Sequence, residues 1–216
     1  MQRIVIALVL GGAVYFIVRE IMKYLSAISG TRSAALADLL ALDELVDEFE
    51  LAPWQLEEVD LISRNHEVES KTELHAYVDY GYFKSIYDEP IMAFATKEYK
   101  NNERRLIVIK FNDTKYHFNI FGPKIEMTAN RKPHGKISLD DGISLDLNGS
   151  KASITDFDNP GLIPLSINDQ EILGIATDDD LAGHSGRMLR KLNDYEVEQG
   201  ELILLSLSFA LANKQI

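Results

Sequence analysis

Leu202 to Ala212 reads LILLSLSFALA, eleven residues with no charge and only two serines. As a helix this run is too short to cross a bilayer, which takes about 20 apolar residues. A helix that is apolar on every side must instead be surrounded by protein. In a chain whose preceding part is rich in strands, the place to enclose it is inside a curled sheet. The competing reading is a buried central strand, because Leu205, Leu207 and Phe209 alternate with Ser206 and Ser208. Leucine and alanine dominate and β-branched residues are almost absent, which favours the helix.

Working outward, the sequence from about Leu74 onward is alternating and turn-rich. Tyr82–Ile86 and Ile91–Ala95 flank Tyr87-Asp88-Glu89-Pro90, and Leu106–Phe111 and Tyr116–Phe121 flank Asn112-Asp113-Thr114-Lys115. Both pairs read as hairpins. Further strands are expected at Lys124–Thr128, Lys136–Leu139, Ile143–Leu147, Ala152–Thr155, Ile163–Ile167 and Glu171–Ala176, separated by Asp-Gly, Asn-Gly, Asn-Pro-Gly and Asn-Asp turns. Short strands at this spacing indicate an antiparallel barrel or sandwich, and residues 61–216 form the β-rich globular domain.

The segment Asp194-Tyr195-Glu196-Val197-Glu198-Gln199-Gly200-Glu201, running into Leu202–Ala212, resembles the strand, turn and central helix that close the superfamily of tubby C-terminal domains, phospholipid scramblases and LURP-one-related proteins. The resemblance covers residues 70–216 and implies a β-barrel of about a dozen strands around a hydrophobic C-terminal helix. Two departures keep the ligands of that superfamily from being carried over. Tubby domains hold phosphoinositide headgroups with paired basic residues, whereas Lys97, Lys100, Arg104, Arg105 and Lys110 are scattered here. Scramblases carry a string of calcium-binding acids before the last helix, and only Asp194, Glu196, Glu198 and Glu201 could stand in for it.

Ahead of the β-rich part, residues 26–60 read as an acidic helical connector. Thr31 or Ser33 can cap a helix through SAALADLLALDELVDEF, with Leu36, Leu39, Leu40, Val46 and Phe49 as its apolar side. From Asp38 through Asp60 there are nine acids and no Lys or Arg. The segment reads as a solvated helix face, or as an acidic surface for a basic protein partner. Pro53 and Trp54 mark its end.

The first residues, Ile4–Val18, read IVIALVLGGAVYFIV, with Arg3 before and Arg19, Glu20 and Lys23 after. Residues 1–25 are expected to form a single transmembrane helix, lengthened through flanking residues and snorkelling arginines. The positive-inside pattern points the remaining domain toward the cytoplasm. A cleaved secretory signal is the alternative, with the nearest small-x-small tripeptide at Ala27-Ile28-Ser29.

The whole chain is 216 residues with a net charge of −12, which disfavours nucleic acid as a partner. It contains no cysteine, so disulfides, thiolate metal sites and cysteine nucleophiles are excluded. His66, His75, His117, His134 and His184 form neither an H-E-x-x-H motif nor a close pair. Gly183-His184-Ser185-Gly186 falls short of a nucleophile elbow, because Arg187 stands where the second glycine belongs. Asp178-Asp179-Asp180 is the densest acidic triplet and a candidate cation site, although adjacent acids point in different directions. No catalytic, cofactor-binding or metal-binding residue is assigned.

The resulting expectation is a membrane-anchored, single-pass, non-enzymatic binding or scaffold protein with a tubby-like β-barrel. The alternatives are a hydrolase using Ser185, His184 and Asp178–Asp180, and a periplasmic or secreted β-protein released by cleavage near Gly30.

Overall fold

A computed structural model describes residues 32–100, 104–157, 161–176 and 187–212. Among the described residues no helix is long and apolar enough to cross a membrane, which corrects the expected transmembrane helix and the single-pass membrane placement. Residues 1–25, on which that expectation rested, lie outside the described residues.

The body is antiparallel β throughout. A first sheet runs as an unbroken meander through β1 (Ile62–Thr72), β2 (Ala76–Ser85), β3 (Pro90–Tyr99), β4 (Arg104–Phe111), β5 (Thr114–Phe121), β6 (Lys124–Ala129) and the two-residue β7 (Lys132–Pro133). A second sheet holds β8 (Lys136–Ser138), β9 (Ile143–Leu147), β10 (Ser150–Ile154), β11 (Leu162–Ile167), β12 (Gln170–Ala176) and β13 (Leu189–Lys191), also in sequential order. Every strand therefore pairs with its chain neighbour, and tight turns fix the registers. Asn130-Arg131, Asn148-Gly149 and Asn168-Asp169 each have two consecutive positive φ angles, the backbone of a two-residue hairpin turn whose twist matches that of the strands. The Asn130 and Asn168 side-chain carbonyls accept hydrogen bonds from the backbone N–H of Lys115 and Lys151, on the strand before each hairpin.

The two sheets meet along both margins. At one, Ser63 bridges Arg187 and the Met188 N–H donates to the Ile62 carbonyl. At the other, the His134 N–H donates to the Met127 carbonyl as the chain passes from one sheet to the next.

The C-terminal run forms a helix, Val197–Ala212, inside this wrap. Eleven of its residues are buried, including every one from Leu202 to Ala210. Phe209 lies against Phe118 of β5, with ring centroids 5.1 Å apart. Ser206 and Ser208 enter the apolar interior because their hydroxyls donate back to the Leu202 and Leu204 carbonyls, so neither leaves a buried polar group unsatisfied. Gly200 lets the helix start close to the short 3-10 helix Leu56–Leu61, since a Cβ there would stand 2.7 Å from that of Leu56.

A second apolar cluster sits on the outer face of the first sheet. Strand alternation sends Met92, Phe94, Ile107 and Ile109 toward the central helix, and Ala93, Ala95, Leu106 and Val108 the other way. The outward set is covered by the helix Arg32–Asp47, through Ala35, Leu42 and Val46. Strands β3 and β4 are thus buried on both faces, which accounts for their nearly continuous hydrophobic sequence.

The expected apolar side of the acidic helix is partly corrected. Leu36 and Leu40 are 56% and 41% exposed, and Ala35 and Leu42 take the inward places. Strand β1 was also not expected. Its residues from Asn65 to Thr72 are all exposed and, Val68 apart, polar, so no buried face prints an alternation on them.

If the central helix is the core, Phe209→Ala removes a fully buried ring and costs about 3–5 kcal/mol of stability. Urea unfolding of the variant checks this, and a loss under about 1 kcal/mol, the level of a surface substitution, would show that the helix is not enclosed.

Candidate functional site

Three of the acids in the helix Arg32–Asp47 point at the sheet rather than into solvent. Asp38 meets Lys97 Nζ at 2.9 Å and accepts a short hydrogen bond from the Tyr99 hydroxyl. Asp47 pairs with Lys110 at 3.2 Å and Lys115 at 2.5 Å. Between them Asp43 is buried, with His117 Nε2 2.7 Å from one carboxylate oxygen and Arg131 Nη2 3.2 Å from the other. A carboxylate accepts both bonds at once, so Asp43 ties together β5, the β6–β7 turn and the helix.

The proton equilibria follow from these contacts. Burial pushes the Tyr99 hydroxyl well above the ordinary tyrosine value, and its hydrogen bond to Asp38 pushes it further. At Lys97, burial acts downward, but the hydrogen bonds that its ammonium donates to Glu73 and Asp38 outweigh it and the ammonium is held above its usual range. The Lys115 hydrogen bond holds Asp47 below the usual carboxylate range, against a smaller effect of desolvation.

Alongside the Asp43 network the helix and sheet diverge into a cleft of about 570 Å³. One wall is Ala35, Leu36, Leu39 and Leu40; the other is Asn119, Glu126, Thr128 and Arg131, with Asp43 and His117 also lining it. The volume lies within the roughly 300–1,000 Å³ typical of small-ligand sites. His117 is 6% exposed, and its Nδ1 is buried with no hydrogen-bond partner. A buried imidazole nitrogen without a partner is costly in a folded protein unless something else satisfies it.

Two other concave regions are less well equipped. A cleft of about 250 Å³ lies at the end of the central helix, between Phe83, Phe94, Val68 and Leu211. A larger, polar one surrounds Trp54, whose backbone is clasped by the Asn112 amide through two hydrogen bonds. Near the start of the central helix, Glu201 accepts a hydrogen bond from the Tyr116 hydroxyl at 2.7 Å and lies 3.1 Å from His134 Nε2. Burial, and then Glu201, raise the Tyr116 hydroxyl above its ordinary value.

Ser185, His184 and Asp178–Asp180, the residues of the hydrolase alternative, lie outside the described residues. The other histidines do not converge: His66 hydrogen-bonds the Arg64 carbonyl, His117 meets Asp43 and His134 meets Glu201. Of the four acids before the final helix, Asp194 pairs with Lys191 and Glu201 with Tyr116 and His134. Among the described residues no group of three or more metal-ligating side chains comes together. The Asp43–His117 contact, across 74 residues, has no local sequence signal. No family model, no curated protein and no solved structure matches the chain.

A tyrosine whose folded value is raised adds stability that is complete below the unfolded value, about 10, and is lost as pH rises beyond it. The melting temperature is therefore expected to fall from about pH 10 upward, with a shallower decline in Tyr99→Phe. Parallel declines in the two proteins would show that the Tyr99–Asp38 contact does not tie the helix down.

Proposed function

We propose that this chain is a non-enzymatic binding domain whose working surface is the cleft between the acidic helix and strands β5 and β6. The observation that carries the reading is the pairing, in one cleft, of partly exposed leucines with a buried histidine that has an unused nitrogen. A ligand with an apolar side would cover Leu36, Leu39 and Leu40. Its polar side would meet Asn119, Thr128 and Glu126. Binding rather than hydrolysis is favoured because His117 Nε2 is taken by Asp43 and no hydroxyl among the described residues bonds to Nδ1. A general base needs such a nucleophile within hydrogen-bond reach.

The tubby and scramblase resemblance enters this proposal as an architectural likeness only. It is supported by an apolar terminal helix wrapped in two antiparallel sheets. No phosphoinositide or calcium role comes with it.

Titration with n-octyl glucoside below its micelle concentration, a neutral probe with an apolar tail and a hydroxylated head, tests the cleft. Amide resonances of Leu36, Leu40, Asn119 and Thr128 are expected to shift in the wild type and to respond several-fold less in Leu40→Asp. Shifts confined to Phe83, Phe94 and Leu211 would move the site to the other end of the molecule and overturn the reading.

A further inference from the structure

We infer that two copies of this chain pair through the free edge of β1, antiparallel about Ser70, and so join their first sheets into one. The other sheet margins of the fold are short. β7 has two residues, one of them Pro133, and β8 and β13 have three each. Such short or proline-bearing edges discourage pairing with another chain. β1 is different. It is eleven residues long, and only its start is closed against the second sheet, where Ser63 bridges Arg187. From Asn65 to Thr72 it pairs with β2 on one side and, among the described residues, with no strand on the other. All of these residues are exposed, none is proline, and the register against β2 runs unbroken from His66 to Thr72. The outer N–H and C=O groups of this stretch are therefore lined up for another extended backbone.

The side chains favour a copy of the same strand. His66 and Val68 face inward: the His66 ring lies 5.5 Å from that of Phe83, and Val68 lines the cleft at the end of the central helix. Glu67, Glu69 and Lys71 alternate with them and face outward. Glu67 is paired with Lys84 at 2.7 Å. Glu69 accepts a hydrogen bond from the Tyr80 hydroxyl, but among the described residues it has no cationic partner and Lys71 has no anionic one. Two opposite, uncompensated charges thus stand two residues apart on one face of an open edge.

A two-fold axis normal to the sheet keeps each face on its own side, so it passes through a residue of β1. Centred on Val68, it sets Glu67 against Glu69 of the second copy; centred on Glu69 or Lys71, it sets that residue against its own copy. Like charges directly opposite destabilise a sheet. Centred on Ser70, it sets Glu69 against Lys71 of the second copy, and Val68 against Thr72, each pair occurring twice. Both free charges are then compensated, and Val68, 45% exposed, gains a methyl group beside it. The next outward pair, Glu67 and Glu73, is already neutralised within each chain by Lys84 and Lys97. The overlap is short and its ion pairs are exposed, so the dimer is a weak one that grows with concentration.

Sedimentation equilibrium of the full chain over a dilution series is expected to show monomers in exchange with dimers. Glu69→Lys and Lys71→Glu each put like charges opposite one another, and each should weaken association at least about tenfold. An equimolar mixture of the two variants has opposite charges at both positions and should associate as the wild type does. Circular dichroism of each variant shows that the fold is kept.

A wild-type chain that stays monomeric at every concentration would overturn the inference. So would a dimer that both single variants retain, or one that they lose and do not recover on mixing. Loss of the dimer in Leu40→Asp, with the β1 variants unaffected, would place the interface at the acidic helix and overturn it as well.

Discussion

The burial of Leu202–Ala210 on all sides is the constraint from which the remaining structure follows. An apolar cylinder needs cover around its whole circumference, and one sheet with a single inner face cannot supply it. Two meanders that meet along both margins can. The inner alternate positions of both sheets then join the helix in one core, in which Phe118, Leu145, Ile154, Leu165 and Leu173 lie around it. The serines are tolerated because each hydroxyl is satisfied within the helix itself. The same requirement explains Gly200, where any larger residue would push the helix away from the chain segment that closes the end of the wrap.

Enclosing the helix leaves an outer sheet surface, and over β2 to β4 that surface is also apolar. It is covered by a helix whose acids divide by length of side chain. The shorter aspartates at 38, 43 and 47 reach the sheet and pair with its lysines and histidine and with the arginine of the β6–β7 turn, while the longer Glu44, and Glu48 just past the helix end, are exposed. Exposed ion pairs such as Asp47–Lys110 contribute little to stability, on the order of 0–1 kcal/mol each. The buried Asp43 matters more. Losing it would leave the buried His117 ring without its hydrogen-bond partner, and hydrogen bonds to charged groups are worth about 1.5–3 kcal/mol. The helix is therefore placed by a few polar contacts in a fixed register, and its departure from the sheet on one side opens the cleft.

Much of this architecture is legible in the sequence, and the illegible parts share a cause. The hairpins from Tyr82 to Ala176 announce themselves because at least one face of each strand is buried, both in β3 and β4, and the turns carry asparagine, aspartate or glycine. Strand β1 lacks that signal, since eight of its eleven residues are exposed. Periodicity gives the acidic helix an apolar side but does not say how far round the helix the sheet reaches, so Leu36 and Leu40 look like core and are surface. The site was the least visible. His117 follows a β pattern and Asp43 a helical one, and nothing in either neighbourhood foretells that they meet. The apolar start of the chain suggested a membrane span, and the described helices contain none.

The claim that carries the most weight is that the C-terminal helix is held inside the folded sheets. Amide hydrogen exchange, read residue by residue, tests it without any substitution. The amides of Leu204 to Ala210 should exchange only on global unfolding, with the same protection free energy as the β3 and β4 amides. Exchange of these amides well ahead of the strands, as in a helix that opens on its own at an edge, would contradict the account.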